Sequence, residues 1–322
     1  MPQNQDFFSL IQVALDVSAP IFLVITLGVW LSHKKFINEN FIQVSSKLIF
    51  NVGLPVMLFM STATRDFQQL INLQHIALLV ITTLSVFFLS TFTAKGVINS
   101  EADKGVFVQG AFRGNLIIIG LALAANAYGE QGVAIATLPM AIVIILYNLL
   151  AIYTLNASLG QQSFSLKKTV FDIIKNPLII GIVAGLCVNL ISLPIPDIIL
   201  QTNNYLAKMT LPLALIGIGG SLNMLQLKDN LRPAVMSSIW KLLISPIILI
   251  VLLIIWPTEP IAAGVLFLLV ASPTATASFV MVKAMNGNSD LAAKIIIVST
   301  LLSLFTITLG FALLVSFGLI HS

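Results

Sequence analysis

Charge is what this sequence has least of. Aspartate, glutamate, lysine and arginine make up 9% of its 322 residues, against about 25% in ordinary soluble domains. With 58% hydrophobic residues and a mean hydropathy of +1.03, that scarcity excludes a soluble globular chain and points to an integral membrane protein. Cysteine is nearly absent as well. The one present, Cys187, lies in an apolar run, which excludes a disulfide framework and a thiolate metal site. Enzyme signatures are missing: there is no His-Glu-x-x-His, no acidic calcium loop and no phosphate loop. The net charge of +4 is too small and too scattered for a nucleic-acid surface and reads as a topology signal.

What is abundant is apolar runs of membrane-crossing length, about 20 residues for ~30 Å of hydrocarbon. Ten are expected, near 10–31, 42–63, 75–97, 105–127, 132–155, 173–193, 204–223, 234–256, 261–284 and 291–318. The first ends in "SHKK" without a small-residue cleavage site and is expected to be a retained helix. Basic residues in short loops set the orientation. Lys34, Lys35, Lys95, Lys104, Lys167, Lys168, Lys175, Lys228, Arg232 and Lys283 gather on one side, and little beyond Arg65 lies on the other. The basic side is expected to be cytoplasmic, with both termini outside a cytoplasmic (inner) membrane.

Shifting the sequence by 157 residues aligns "PIFLVITLG" (20–28) with "PLIIGIVAG" (177–185) and "NVGLPVMLF" (51–59) with "KMTLPLALI" (208–216). One residue further out, Gly129 of "AYGEQG" meets Gly287 of "MNGNSD". One offset held across three spans indicates an internal repeat. Residues 1–155 would form the first five-helix repeat, 156–172 a cytoplasmic linker and 173–322 the second repeat. Five is odd, so the second repeat starts on the opposite side of the membrane. Inverted repeats with interrupted helices are characteristic of secondary transporters, which bind substrate near the midplane.

The interruptions fall in the fourth span of each half. Arg113, Gly114 and Asn115 stand in "GAFRGNLIIIG", and a shift of 158 sets Asn115 opposite Pro273 of "VASPTATASFV". Ser272 is the expected N-cap and Pro273 the first residue of a new half-helix. A half-helix N-terminus with free N–H groups and a positive dipole end suits an anion.

These segments resemble the auxin efflux carrier family of permeases. The resemblance rests on "LIFNVGLPVMLF", Asn115 with Gly120, "YGEQG", "NPLIIGIVAG", "LPLALIGIGGSL", "SPTATASFVMV" and "IIIVSTLLSLFTI", and spans nearly the whole chain. It implies a fold like that of sodium–bile acid symporters: all-α, ten helices, with helices 4 and 9 broken and crossing. It also implies a mobile transport part that moves against a scaffold, and organic anions such as auxin, malate or malonate as substrates.

The candidate substrate-binding residues are Asn115, Arg113, Gly114, Ser272, Pro273, Thr274, Thr276 and Asn148. Arg113 offers a planar fork for a carboxylate; the alternative is snorkelling toward the loop. For Asn115 the alternative is a helix–helix hydrogen bond, and for Ser272, Thr274 and Thr276 capping alone. Lys208 is read as either a snorkelling or a functional residue, Lys241 as a lipid-interface or interhelical residue, and Pro55 and Pro212 as hinges. No cofactor is expected. Every carboxylate falls in a loop or near a helix end, so Na+ or H+ coupling has no assigned site. The partners expected are the bilayer and a small carboxylate, with a homodimer compatible. An anion channel and an integral-membrane enzyme are the rival readings.

Overall fold

The computed structural model describes residues 7–64, 72–160, 171, 174–222, 227 and 230–321. Arg65, Lys167, Lys168 and Lys228 of the charge count lie outside the described residues, as does most of the 156–172 linker. Among the described residues all regular structure is helical, and the β feature is one antiparallel bridge, Gly114 with Thr274.

In chain order the helices are α1 (Phe7–His33), α2 (Glu39–Leu48), α3 (Leu54–Ala63), α4 (Leu73–Val97), α5 (Glu101–Phe112), α6 (Leu121–Leu159), α7 (Pro177–Leu190) and α8 (Asp197–Ser221). There follow α9 (Arg232–Ile239), α10 (Ser245–Ile255), α11 (Pro260–Ala271), α12 (Ala277–Ala284) and α13 (Ser289–Ser316). Asparagine starts several of them: the Asn38, Asn72, Asn176 and Asn288 side chains accept N–H groups of the first turn.

Among the described residues six helical stretches are long and apolar enough to cross a membrane, where the sequence suggests ten spans. The others are shorter or more polar. Helices α7 and α11 are apolar but only 14 and 12 residues long, and α8 carries Asn203, Asn204 and Lys208. The long run 116–159 covers one and a half expected spans, divided at Gly129, whose φ of 57° and ψ of −143° leave the helical region. Glycine suits that conformation because it has no Cβ to clash. The run reaches Leu159, past the expected boundary at 155, and ends on Gly160 at φ 67°.

Proline marks two irregular turns. Leu54 N–H reaches back five residues to Ile49, just before Pro55, and Ser245 N–H reaches back five to Trp240, just before Pro246. A proline cannot donate to the carbonyl four residues earlier, and widening the turn to i→i+5 accommodates the loss.

The helices form two groups that also touch each other, chiefly through α1 packed on α13. One comprises α1, α2–α3, α7 and α8, packed pairwise as α1 on α8 and α3 on α7. These contacts run through glycine: Gly28 lies against Ile216 backbone, Gly219 against Ile25, and Gly181 and Gly185 against Pro55 and Phe59. Small residues let helix backbones approach where lipid supplies no hydrophobic drive. The second group comprises α4, α5, α6 and α9–α13, with α5 packed on α6, α9 on α13 and α11 on α6.

Candidate functional site

The site grows from two helix interruptions that satisfy each other. Helix α5 starts with Glu101 and Asp103 in its first turn, which favours the positive end of its dipole. It stops at Phe112, because Arg113 adopts extended backbone (φ −84°, ψ 91°). Helix α11 likewise stops at Ala271. The freed backbones pair: Asn115 N–H donates to Pro273 O at 2.7 Å, and Ala275 N–H to Arg113 O at 3.0 Å. Thr274 N–H donates to Ser299 Oγ at 3.1 Å, and Thr274 Oγ1 to Gly110 O at 2.8 Å. Irregular backbone inside a bilayer must be satisfied within the protein, and here each break supplies much of what the other needs.

This pairing corrects one expectation. Ser272 does not N-cap a half-helix beginning at Pro273. It caps the C-terminus of α11, its N–H and its Oγ both donating to Leu269 O. The next half-helix starts four residues later, at Ala277, with Thr276 before it. Residues 273–275 are held extended by Asn115, Arg113 and Ser299 and cannot coil.

A cavity of about 840 Å³ lies between the two helix groups at this crossing. The first group contributes residues of α2, the following turn and α8, including Ser46, Lys47, Asn51, Gly217 and Ser221. The second contributes Arg113–Ile118, Tyr147, Asn148, Ala275–Ala277, Met281 and residues of α13. The N-terminal ends of the Leu116 turn and of α12 both open on it. Among the described residues two of those lining it are cationic, Lys47 and Arg113, and none is acidic.

Arg113 is 9% exposed. Its Nη2 donates to Asn148 Oδ1 at 2.8 Å and its Nη1 lies 3.2 Å from Met281 Sδ. Gln109 Nε2 also reaches that sulfur, at 3.3 Å. Among the described residues the ion pairs are Lys104–Glu101 and Lys294–Asp290, so Arg113 has neutral partners only. Burying an ion costs several kcal/mol, and an amide oxygen with a thioether offsets only part of that. The Nδ2 of Asn115, itself buried, has no hydrogen-bond partner. Tyr147 closes this end, packed on Phe112 at 5.7 Å between ring centroids.

Of the expected substrate residues, the fold brings Arg113, Gly114, Asn115, Asn148 and Thr276 to the cavity wall. Ser272, Pro273 and Thr274 lie behind it, buried in the crossing. Pro55 follows the α2–α3 turn and Pro212 sits inside α8, both in the first helix group. Lys241, read from sequence as interfacial or interhelical, is fully buried and donates to Val270 O at 2.7 Å. Sequence reasoning missed Lys47, Tyr147 and Met281. Their signal was faint: Met281 and Tyr147 look like core residues, and Lys47 lies two turns inside an ordinary span.

Related chains are transporters by description. A family model described as "membrane transport protein" matches residues 13–310, so the chain belongs to that family. An uncharacterized transporter of Methanocaldococcus jannaschii is 24% identical over 309 residues, covering 92% of this chain and 97% of its own. An uncharacterized transporter of Methanothermobacter thermautotrophicus is 24% identical over 293 residues, covering 90% of this chain and 94% of its own.

Proposed function

We propose that this member of the membrane transport protein family is a secondary carrier for a small organic anion, working by alternating access. The observation that carries this is Arg113: a buried guanidinium on a cavity wall, with neutral partners and a planar fork suited to a carboxylate. The unpartnered Asn115 Nδ2 is a second donor at the same wall. The volume, about 840 Å³, suits a small molecule.

The architecture proposed is two inverted five-helix repeats, residues 1–155 and 173–322, with broken helices crossing at 113–115 and 272–276. The antiparallel pairing of the two breaks supports it, since a two-fold axis between repeats produces such a pair. In this reading α1, α2–α3, α7 and α8 are the scaffold. The remaining helices carry the anion and move against them, with Pro55 and Pro212 as bends in the scaffold. The lining residues Ile42 and Ala284 lie close in sequence to the basic residues Lys34, Lys35 and Lys283, and in this reading that end of the cavity faces the cytoplasm and both termini face outward.

The experiment is uptake of labelled malate, malonate and indole acetate into proteoliposomes, with and without ion gradients. A carrier gives flux that saturates with substrate for at least one of them. Large unsaturable currents would instead mark a channel, and no flux of any acid above empty vesicles would refute carboxylate transport.

A further inference from the structure

The crossing holds a second cation that substrate recognition does not use. Lys241 is 0% exposed and is not among the cavity-lining residues. It lies in the widened turn Trp240–Ile244 ahead of Pro246. Its Nζ donates to Val270 O at 2.7 Å, in the last turn of α11. The other break is as close: a Cβ built on Gly114 would lie 2.9 Å from Lys241 Nζ and 3.0 Å from both Lys241 Cε and Ser272 Oγ. The ammonium therefore sits at the contact between the two interruptions. Among the described residues no carboxylate forms an ion pair with it.

The end of a helix leaves carbonyls without intrahelical donors and carries about half a negative charge. Two half-helices, α5 and α11, end at this crossing with their negative ends, while the positive ends of the Leu116 turn and of α12 face the cavity, so the partial negative charge is left where α5 and α11 stop. Arg113 caps the end of α5 but faces the cavity, where the carrier reading assigns it to the anion. Lys241 meets the end of α11 from the dry side. We infer that Lys241 is a tethered counter-cation for the crossed helix ends, supplying from within the chain the positive charge a soluble coupling cation would otherwise bring. This rests on the carrier reading for its transport consequence: flux does not require Na+.

The test uses the full chain in proteoliposomes, with whichever carboxylate the wild type carries, in NaCl, KCl and choline chloride at equal ionic strength. Wild-type flux should agree across the three salts within about twofold. Lys241→Met, neutral and of similar length, should lose flux about tenfold, while its carboxylate affinity stays within about twofold, because the ion removed from a buried pair of opposite partial charges is not the one at the cavity. Lys241→Arg should recover most of the flux, and Na+ should raise the flux of the Met variant above its level in choline. Wild-type flux stimulated about tenfold by Na+ would overturn the inference, and that arm needs no variant to fold. So would a Met variant that transports like wild type. If the wild type carries no carboxylate, the carrier reading has failed; the counter-cation then stands or falls on melting temperature. Lys241→Met should melt lower than wild type and be raised by Na+ relative to choline, with wild type indifferent to that exchange. A Met variant as stable as wild type, or a wild type stabilised by Na+, would overturn it.

Discussion

Arg113→Gln is expected to weaken carboxylate binding about 100-fold, close to 3 kcal/mol, while the melting temperature holds or rises. The two parts of that result come from one circumstance. In the unliganded protein Arg113 is buried on an amide oxygen and a sulfur, so its desolvation is only partly offset. An arriving carboxylate supplies the missing partner, and removing the guanidinium removes that partner's strongest contact. Glutamine keeps a donor for Asn148 without an ion to desolvate, so the fold does not suffer. A structural arginine would behave oppositely, with stability falling and affinity unchanged. Arg113→Lys should lie between wild type and glutamine, because an ammonium keeps the charge and loses the fork. Equilibrium titration and thermal melting of the same preparations read both halves.

Gly114→Ala is expected to cut flux about tenfold and to cost about 1–3 kcal/mol of stability, although it adds one methyl group. Backbone conformation is not the reason, since Gly114 is not among the positive-φ glycines. Space is. The new Cβ would meet Lys241 Nζ at 2.9 Å and Ser272 Oγ at 3.0 Å. Neither neighbour yields cheaply: Nζ is held by Val270 O and Ser272 Oγ by Leu269 O. Relief comes only by opening the Gly114–Thr274 bridge, which loosens the pairing of Asn115 with Pro273 and of Ala275 with Arg113. Uptake rates and urea or thermal unfolding measure the two effects. A wild-type rate in Gly114→Ala would mean the breaks part during transport without cost.

Much of this was legible in sequence because membranes impose simple rules. Apolar run length located an all-helical chain, with six stretches among the described residues long and apolar enough to cross a membrane where the sequence suggests ten, and Gly129 and the Asn115/Pro273 coincidence fall where helices are interrupted. Arg113 and Asn148 stood out as polar residues inside apolar runs, and the fold joins them at 2.8 Å. What stayed hidden was pairing across the fold. The local signal at Ser272-Pro273 is that of a helix start. It was overridden because Asn115, Arg113 and Ser299, distant in sequence, hold residues 273–275 extended. For Lys241 the sequence left the lipid interface and an interhelical role both open, for a related reason. A lysine in an apolar span has a long stem and equal claim to the interface or the interior, and only the nearness of Val270 and Gly114 decides for the interior. Lys294, with its side chain paired to Asp290 at 2.7 Å, shows the ordinary alternative near a helix start.

The central claim is that the cavity reads a carboxylate through an unneutralised buried arginine. Titrating the purified protein with a transported acid and with its uncharged carboxamide tests it most directly. The account gives the acid the tighter binding by about 100-fold in wild type. In Arg113→Gln that preference should shrink to within a few-fold. Equal affinity for acid and amide in wild type, or a preference that survives the loss of Arg113, would contradict it.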